Sequence, residues 1–211
     1  MTATMRDRFY ETASELVGAD ERIAVVLADI GTGRMPEAER AHPERVINVG
    51  IREQLLVGVA AGLAMTGFRP IVHSYAPFVV ERPFEMLKLD LGHNDVGAIV
   101  VSVGASYDAA ANGRTHQTPE DVALLSALPG WRIYVPGHPT EADHLLRAAA
   151  RTDERVYLRL SDQSNQLARP ITPDTSTPSR IRLVAAARYP SVEYASSIGW
   201  SSGLPHGGIW K

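Results

Sequence analysis

The sequence contains no cysteine. Disulfide frameworks, thiolate metal sites and cysteine nucleophiles are therefore excluded at once. Charge of one sign is not in excess either. There are 21 Lys and Arg against 24 Asp and Glu, a formal net charge of −3. Nucleic-acid binders ordinarily carry a basic surplus, so that class is set aside. No apolar run approaches the ~18 residues of a membrane span. The start, Met1-Thr2-Ala3-Thr4-Met5-Arg6-Asp7-Arg8, lacks the apolar core of a secretory signal, and the expected location is cytoplasmic. Repeats with a period of about 20–50 residues are lacking, which sets solenoids aside. Also missing are a Gly-x-x-x-x-Gly-Lys-Ser/Thr phosphate loop and a Gly-x-Ser-x-Gly nucleophile elbow. What is present is ordinary: 45% hydrophobic and 21% charged residues over 211 positions, enough for one globular domain.

Short apolar runs alternate with helical stretches. Residues 7–18 read as a helix with Phe9, Leu16 and Val17 on one side. Residues 23–29 are an apolar run ending in an acid, the pattern of a buried parallel strand. Val46-Ile47-Asn48-Val49 is a second strand. It leads through Gly50 into a helix, Glu53 to Ala64, that is apolar nearly all round and so reads as buried. A strand follows at 70–75, then a helix at 79–91 whose start Pro83 disturbs. Next come a strand at 96–103 and a glycine- and alanine-rich loop, 104–117. Thr118-Pro119-Glu120-Asp121 opens a helix, with the Thr as capping hydroxyl. A strand at 131–135, a helix from Pro139 to about Arg151 and a strand at 156–160 complete the series. The alternation predicts an α/β fold over residues 5–165, a three-layer sandwich around a mostly parallel six-stranded sheet. Residues 166–211 read as a linker and an irregular tail, with room for one more short strand at 181–187. The tail after about Leu183 has the composition of a truncated or frameshifted end.

Parallel sheets gather ligands outside the carboxyl ends of their strands. Asp29, Glu53, Tyr75, the loop 104–117 and Gly137-His138 are the polar groups expected there. Taken alone, Glu53 reads as an acid complementing a helix start; its sharper reading is a carboxyl in an apolar pocket that exchanges a proton with a ligand. His116, just before a helix start, reads as a donor to an anionic or hydroxylated substrate. His138 and His144 share no helical face and make a poor metal pair.

Val49-Gly50-Ile51-Arg52-Glu53-Gln54, followed by Gly58-Val59-Ala60-Ala61-Gly62-Leu63-Ala64, closely resembles the pyrimidine-binding domain of transketolase-like enzymes. Further matches come in that family's order. They are Ala28-Asp29-Ile30-Gly31, Tyr75-Ala76-Pro77-Phe78 with Arg82, Asn112-Gly113-Arg114-Thr115-His116-Gln117 with Glu120-Asp121, Leu128-Pro129-Gly130-Trp131, and Tyr157-Leu158-Arg159-Leu160. The resemblance spans roughly residues 5–162 and implies thiamine diphosphate as cofactor and two-carbon ketol transfer as the reaction. It implies that Glu53 hydrogen-bonds the aminopyrimidine ring nitrogen and so activates the cofactor. It places Phe78 as the ring that stacks on the pyrimidine, with Asp29, Ile51 and Tyr75 in the same cofactor pocket. His116 is implied to bind substrate and steady developing oxyanion charge, and Arg82 to be a substrate-side cation.

Four positions depart from the family pattern. Arg52 replaces a small residue beside Glu53, where a guanidinium lowers the carboxyl's pKa or reaches the substrate. Pro83 replaces a helix former, and Asn112 and Arg114 replace the usual residues before His116. A larger departure is that Gly-Asp-Gly, the family's mark for holding the diphosphate through Mg²⁺, is missing. The resemblance is thus to the second half of a split transketolase. Mg²⁺ and the diphosphate would be held by a partner chain, in a homo- or hetero-oligomer, acting on a sugar phosphate or other ketose-like substrate. Two other readings stay open. One is a subunit like 1-deoxyxylulose-phosphate synthase or a 2-oxo-acid dehydrogenase beta chain. The other is a catalytically silent truncated domain that only binds a partner.

Overall fold

Strands whose residues are buried on both faces need helices on both sides, and that requirement sets the architecture. The computed structural model describes residues 3–170 and 183–185. Its elements run α1 (Met5–Ala19), β1 (Ile23–Leu27), α2 (Pro36–Ala41), β2 (Val46–Asn48), α3 (Glu53–Met65), β3 (Arg69–Tyr75), α4 (Phe84–Met86), β4 (Ile99–Val103), α5 (Asp121–Ser126), β5 (Trp131–Val135), α6 (Pro139–Ala150), β6 (Arg155–Arg159) and β7 (Leu183–Ala185). Every residue of β1 and β4 is buried, as are the first six of β3. The sheet order is β2-β1-β3-β4-β6-β5-β7, and every pairing is parallel. The six expected strands are there, and β7 adds a seventh beside β5, inside the 181–187 window. The expected irregular or truncated tail otherwise lies outside the described residues.

Strand residues alternate between two cores. Ile23, Val25, Leu27, Ile71, Ile99, Val101 and Leu158 pack with Phe9, Ala13 and Val17 of α1 and with Leu145, Leu146 and Ala149 of α6. Val26, Val72, Val100, Ile133 and Tyr157 pack on the other face with Leu56, Val57 and Ala60 of α3, Val79, Val80, Leu87 and Leu125. This is the predicted three-layer sandwich. α1 starts at a capping box: Thr4 Oγ1 accepts from the Asp7 N–H at 3.0 Å, and the Asp7 carboxylate reaches back to Thr4.

Four local expectations are corrected. Residues 79–91 are not one helix. A π-helical turn, Pro77–Glu81, is followed by the short α4 and a second π-helical stretch, Leu87–His93. Pro83 falls at the first break, where its missing N–H cannot continue a ladder. Helix α5 starts at Asp121 without a side-chain cap. Thr118 instead gives its N–H to Ser106 O at 3.0 Å and closes the base of the loop. β4 starts at Ile99 because the Val96 N–H completes the preceding turn on Leu91 O at 3.1 Å. Finally, α3 is not buried all round: Leu55 and Met65 are exposed on its outer side.

Candidate active site

From β1 the chain goes to β2 on one side and then returns to β3 on the other. That reversal marks a place at the carboxyl ends of the strands, the end at which parallel sheets hold ligands. Glu53 enters it as the first residue of α3. Its side chain is only 4% exposed, yet it meets a cation: Nη1 of Arg82 donates to Oε1 at 3.0 Å. The Arg82 guanidinium carbon also lies 3.9 Å from the ring centre of Phe78, a cation–π contact. The wide turn explains the stacking. Its Arg82 N–H reaches five residues back to Pro77 O at 3.1 Å, which brings residue 82 nearly above residue 78. Gln54 Nε2 donates to Arg82 O at 3.4 Å and ties the turn to α3. The charge on Glu53 is therefore met by Arg82, while the adjacent Arg52 is exposed.

Three rings continue the wall. Phe78 and His116 are 5.0 Å apart between centres, Tyr75 and Phe78 6.0 Å, and Tyr75 and His116 5.9 Å, all edge-to-face. Thr115 Oγ1 lies 3.0 Å from His116 Nδ1. The loop carrying His116 is anchored from beneath. Asp121, fully buried, accepts from Tyr157 OH at 2.6 Å and from Arg159 Nε at 2.7 Å. Arg159 Nη2 donates to Ser106 Oγ at 2.6 Å, at the start of the loop. Burial, with the Asp121 charge adding, pushes the Tyr157 phenol well above its ordinary range.

Behind Tyr75 a second network crosses the α1 layer. The Arg6 guanidinium lies 5.5 Å from the Tyr75 ring centre, and its Nε donates to Tyr10 OH at 3.1 Å. Tyr10 OH is 3.0 Å from His73 Nε2, and His73 Nδ1 is 3.0 Å from Val101 O. Complete burial lowers the His73 pKa to about 3, with the Arg6 charge acting the same way. The ring is thus neutral, with Nδ1–H donating to Val101 and Nε2 accepting from Tyr10.

Of the residues expected from sequence, Glu53, Arg82, Phe78, His116 and Tyr75 form one continuous chain of contacts. Asp29 and Ile51 lie outside that chain of contacts. Asp29 follows β1 with a left-handed φ of 67°, and its N–H donates to Asn48 Oδ1 at 3.0 Å. Such backbone strain in a non-glycine residue clusters at ligand sites. Ile51 is 71% exposed. His138 serves a local role, its ring accepting from the Thr140 N–H at the start of α6. Sequence reasoning missed Asn48, Arg6 and the Asp121–Arg159 anchor. Only Asn48 carried a local signal: Asn48-Val49-Gly50 is an Asx turn, in which Oδ1 also accepts the Gly50 N–H at 2.9 Å. Among the described residues no group of three or more His, Asp or Glu could hold a metal ion. Nor is any described helix long and apolar enough to cross a membrane.

A buried carboxylate beside an aromatic face suits one kind of ligand. A planar nitrogen heterocycle can stack on Phe78 while its edge donates to Glu53.

Comparison with known proteins points the same way. Residues 1–166 match the family model described as the transketolase pyrimidine binding domain. An uncharacterized 33.6 kDa protein of the fasciation locus of Rhodococcoides fascians is 50% identical over 170 residues, 81% of this chain and 54% of that protein. A 6-deoxy-6-sulfo-D-fructose transketolase subunit from a Clostridium species is 29% identical, over 74% of this chain and 49% of that subunit. A solved split-gene transketolase chain, described as an inactive beta4 tetramer, is 29% identical with a TM-score of 0.67. That match covers 82% of this chain and 55% of the other. The chain thus spans about half the length of the relatives it matches.

Proposed function

Because this chain belongs to the transketolase pyrimidine-binding domain family, which is thiamine diphosphate-dependent, we propose that it supplies the pyrimidine half of a thiamine-diphosphate site in a split transketolase-like transferase. The observation that carries this reading is that the buried Glu53 carboxylate and the Phe78 ring meet at one guanidinium, that of Arg82, with Tyr75 and His116 around Phe78. When bound, the cofactor would supply a carbon nucleophile and an electron sink. The residues here fit its aminopyrimidine. Glu53 hydrogen-bonds the ring nitrogen and shares with it the proton that must move, Phe78 and Tyr75 fix the plane, and Asp29 and Ile51 border the ring. His116 donates to the ketose oxygen on which negative charge develops. Arg82 is the cation nearest the incoming substrate. Magnesium and the diphosphate are assigned to a partner chain. Two-carbon ketol transfer between ketose-like substrates is the proposed reaction, and the isolated chain is proposed to be inactive.

The test is reconstitution with a diphosphate-binding partner chain. Glu53→Gln removes the proton-accepting carboxylate but keeps its shape. Turnover should fall by about 10²- to 10⁴-fold, with partner binding unchanged. Equal turnover in the two proteins overturns the assignment.

A further inference from the structure

Resting on the reading that an aminopyrimidine docks here, we propose that Arg82 is the internal occupant of this pocket. Its guanidinium holds the place of that ring in the free chain and leaves when the ring enters. The ring needs two contacts, a hydrogen bond to Glu53 and the face of Phe78. Arg82 makes both, at 3.0 Å to Oε1 and 3.9 Å to the ring centre. A guanidinium is planar with a donating edge; an aminopyrimidine presents the same kind of edge once its ring nitrogen carries a proton. Two such groups cannot share one carboxylate oxygen and one ring face.

Arg82 is built to be displaced rather than locked. Its backbone is fixed, by its N–H to Pro77 O and by Gln54 on its carbonyl. Its side chain is 44% exposed, so rotation alone carries the guanidinium to solvent. Glu53 is the opposite case. At 4% exposure it is costly to leave unpaired. The occupant keeps that charge paired in the free chain. It also filters ligands, because an apolar ring that displaced Arg82 would strand the carboxylate. Only a planar ligand whose ring nitrogen can carry a proton replaces the donor it removes. Arg82 is thus a specificity-determining residue of the cofactor site.

The experiment uses the full chain and thiamine, which presents the aminopyrimidine without the diphosphate. Arg82→Met should bind thiamine about 3- to 10-fold more tightly, because the competing state no longer has a half-exposed ion pair and a cation–π stack to stabilise it. In stopped-flow mixing, the wild-type association rate should level off at high thiamine as Arg82 release becomes limiting, whereas the variant stays linear. Arg82→Gln, with thermal unfolding of both variants, controls for folding and should shift affinity in the same direction. Equal or weaker binding by both variants overturns the occupant while leaving the ring site, provided Glu53→Gln abolishes thiamine binding. Absence of thiamine binding by wild type and variants alike, also in complex with the diphosphate-binding chain, overturns both readings.

Discussion

Acidification should loosen this fold through a single buried ring. His73 sits in β3 at full burial, bonded to Tyr10 and to Val101 O, with a pKa lowered to about 3 from 6.5. An unfolded chain takes up a proton on this ring below about pH 6.5, whereas the folded chain does so only near pH 3. In that window the unfolded state binds more protons, so stability falls as the pH falls. At ~1.36 kcal/mol per unit, moving from pH 7 to pH 5 should cost about 2 kcal/mol. The full window amounts to about 5 kcal/mol. For a domain of this size, about 2 kcal/mol corresponds to about 4–8 °C in Tm. The assay is thermal or urea unfolding of wild type and His73→Gln at both pH values. Glutamine keeps a donor and an acceptor but has no proton to gain. Carboxylates that also titrate, such as Asp7, lowered by its bond to Thr4, and Asp162, raised by burial and by Asp108, contribute equally to both proteins and cancel on subtraction. The variant should lose about 2 kcal/mol less than wild type between pH 7 and pH 5. An identical loss in both would refute the reasoning.

Two further substitutions probe how the pocket wall is held. Gly104 has a φ of +70°, and a Cβ there would lie 2.5 Å from Tyr75 Cδ1. Gly104→Ala should therefore cost about 1–3 kcal/mol and weaken thiamine binding by displacing Tyr75, read by differential scanning fluorimetry and calorimetry. Asp121→Asn leaves Arg159 without its buried counter-charge. It should lower stability by about 3 kcal/mol and loosen the His116 loop, seen as faster amide exchange at residues 106–118. An unchanged Tm would show that Asp121 does not anchor the loop.

The layers of this fold were legible because its signals are local and strong. The runs 23–27 and 99–103 are short, almost wholly apolar and buried on both faces, which helices on both sides explain. Glu53 was legible as a carboxyl at the start of an apolar helix. Its partner was not. Residue 82 meets residue 53 only because the turn after β3 is a π-turn, and nothing in Val79-Val80-Glu81 distinguishes that turn from an ordinary helix. The same holds for Asp121 with Tyr157 and Arg159, which lie 36 and 38 residues further along and meet it only when β6 lies beside β4. Thr118 shows the reverse failure. Its local pattern favours a cap, but the helix begins only at Asp121 with Glu120 in the cap position, too far along for the Thr118 hydroxyl to cap it.

The helix that supplies Glu53 is covered by the sheet on one side only. Leu56, Val57, Ala60 and Ala61 of α3 are buried against the sheet, and Glu53 lies on that inner side. The outer side keeps Leu55 at 45% and Met65 at 56% exposure, with Ile51 at 71% just before Glu53. A sequence apolar nearly all round predicts full burial, and the chain by itself provides it on one side only. Apolar groups on the open side of a helix suit an interaction surface where they join into one patch. Ile51 lies two residues before Glu53, so a surface that covered it would also shield that carboxylate from water. Hydrogen bonds to that carboxylate then strengthen in the lower dielectric. On the proposed reading, association with a partner and activation of the carboxylate are then one event, and activity belongs to the assembled protein.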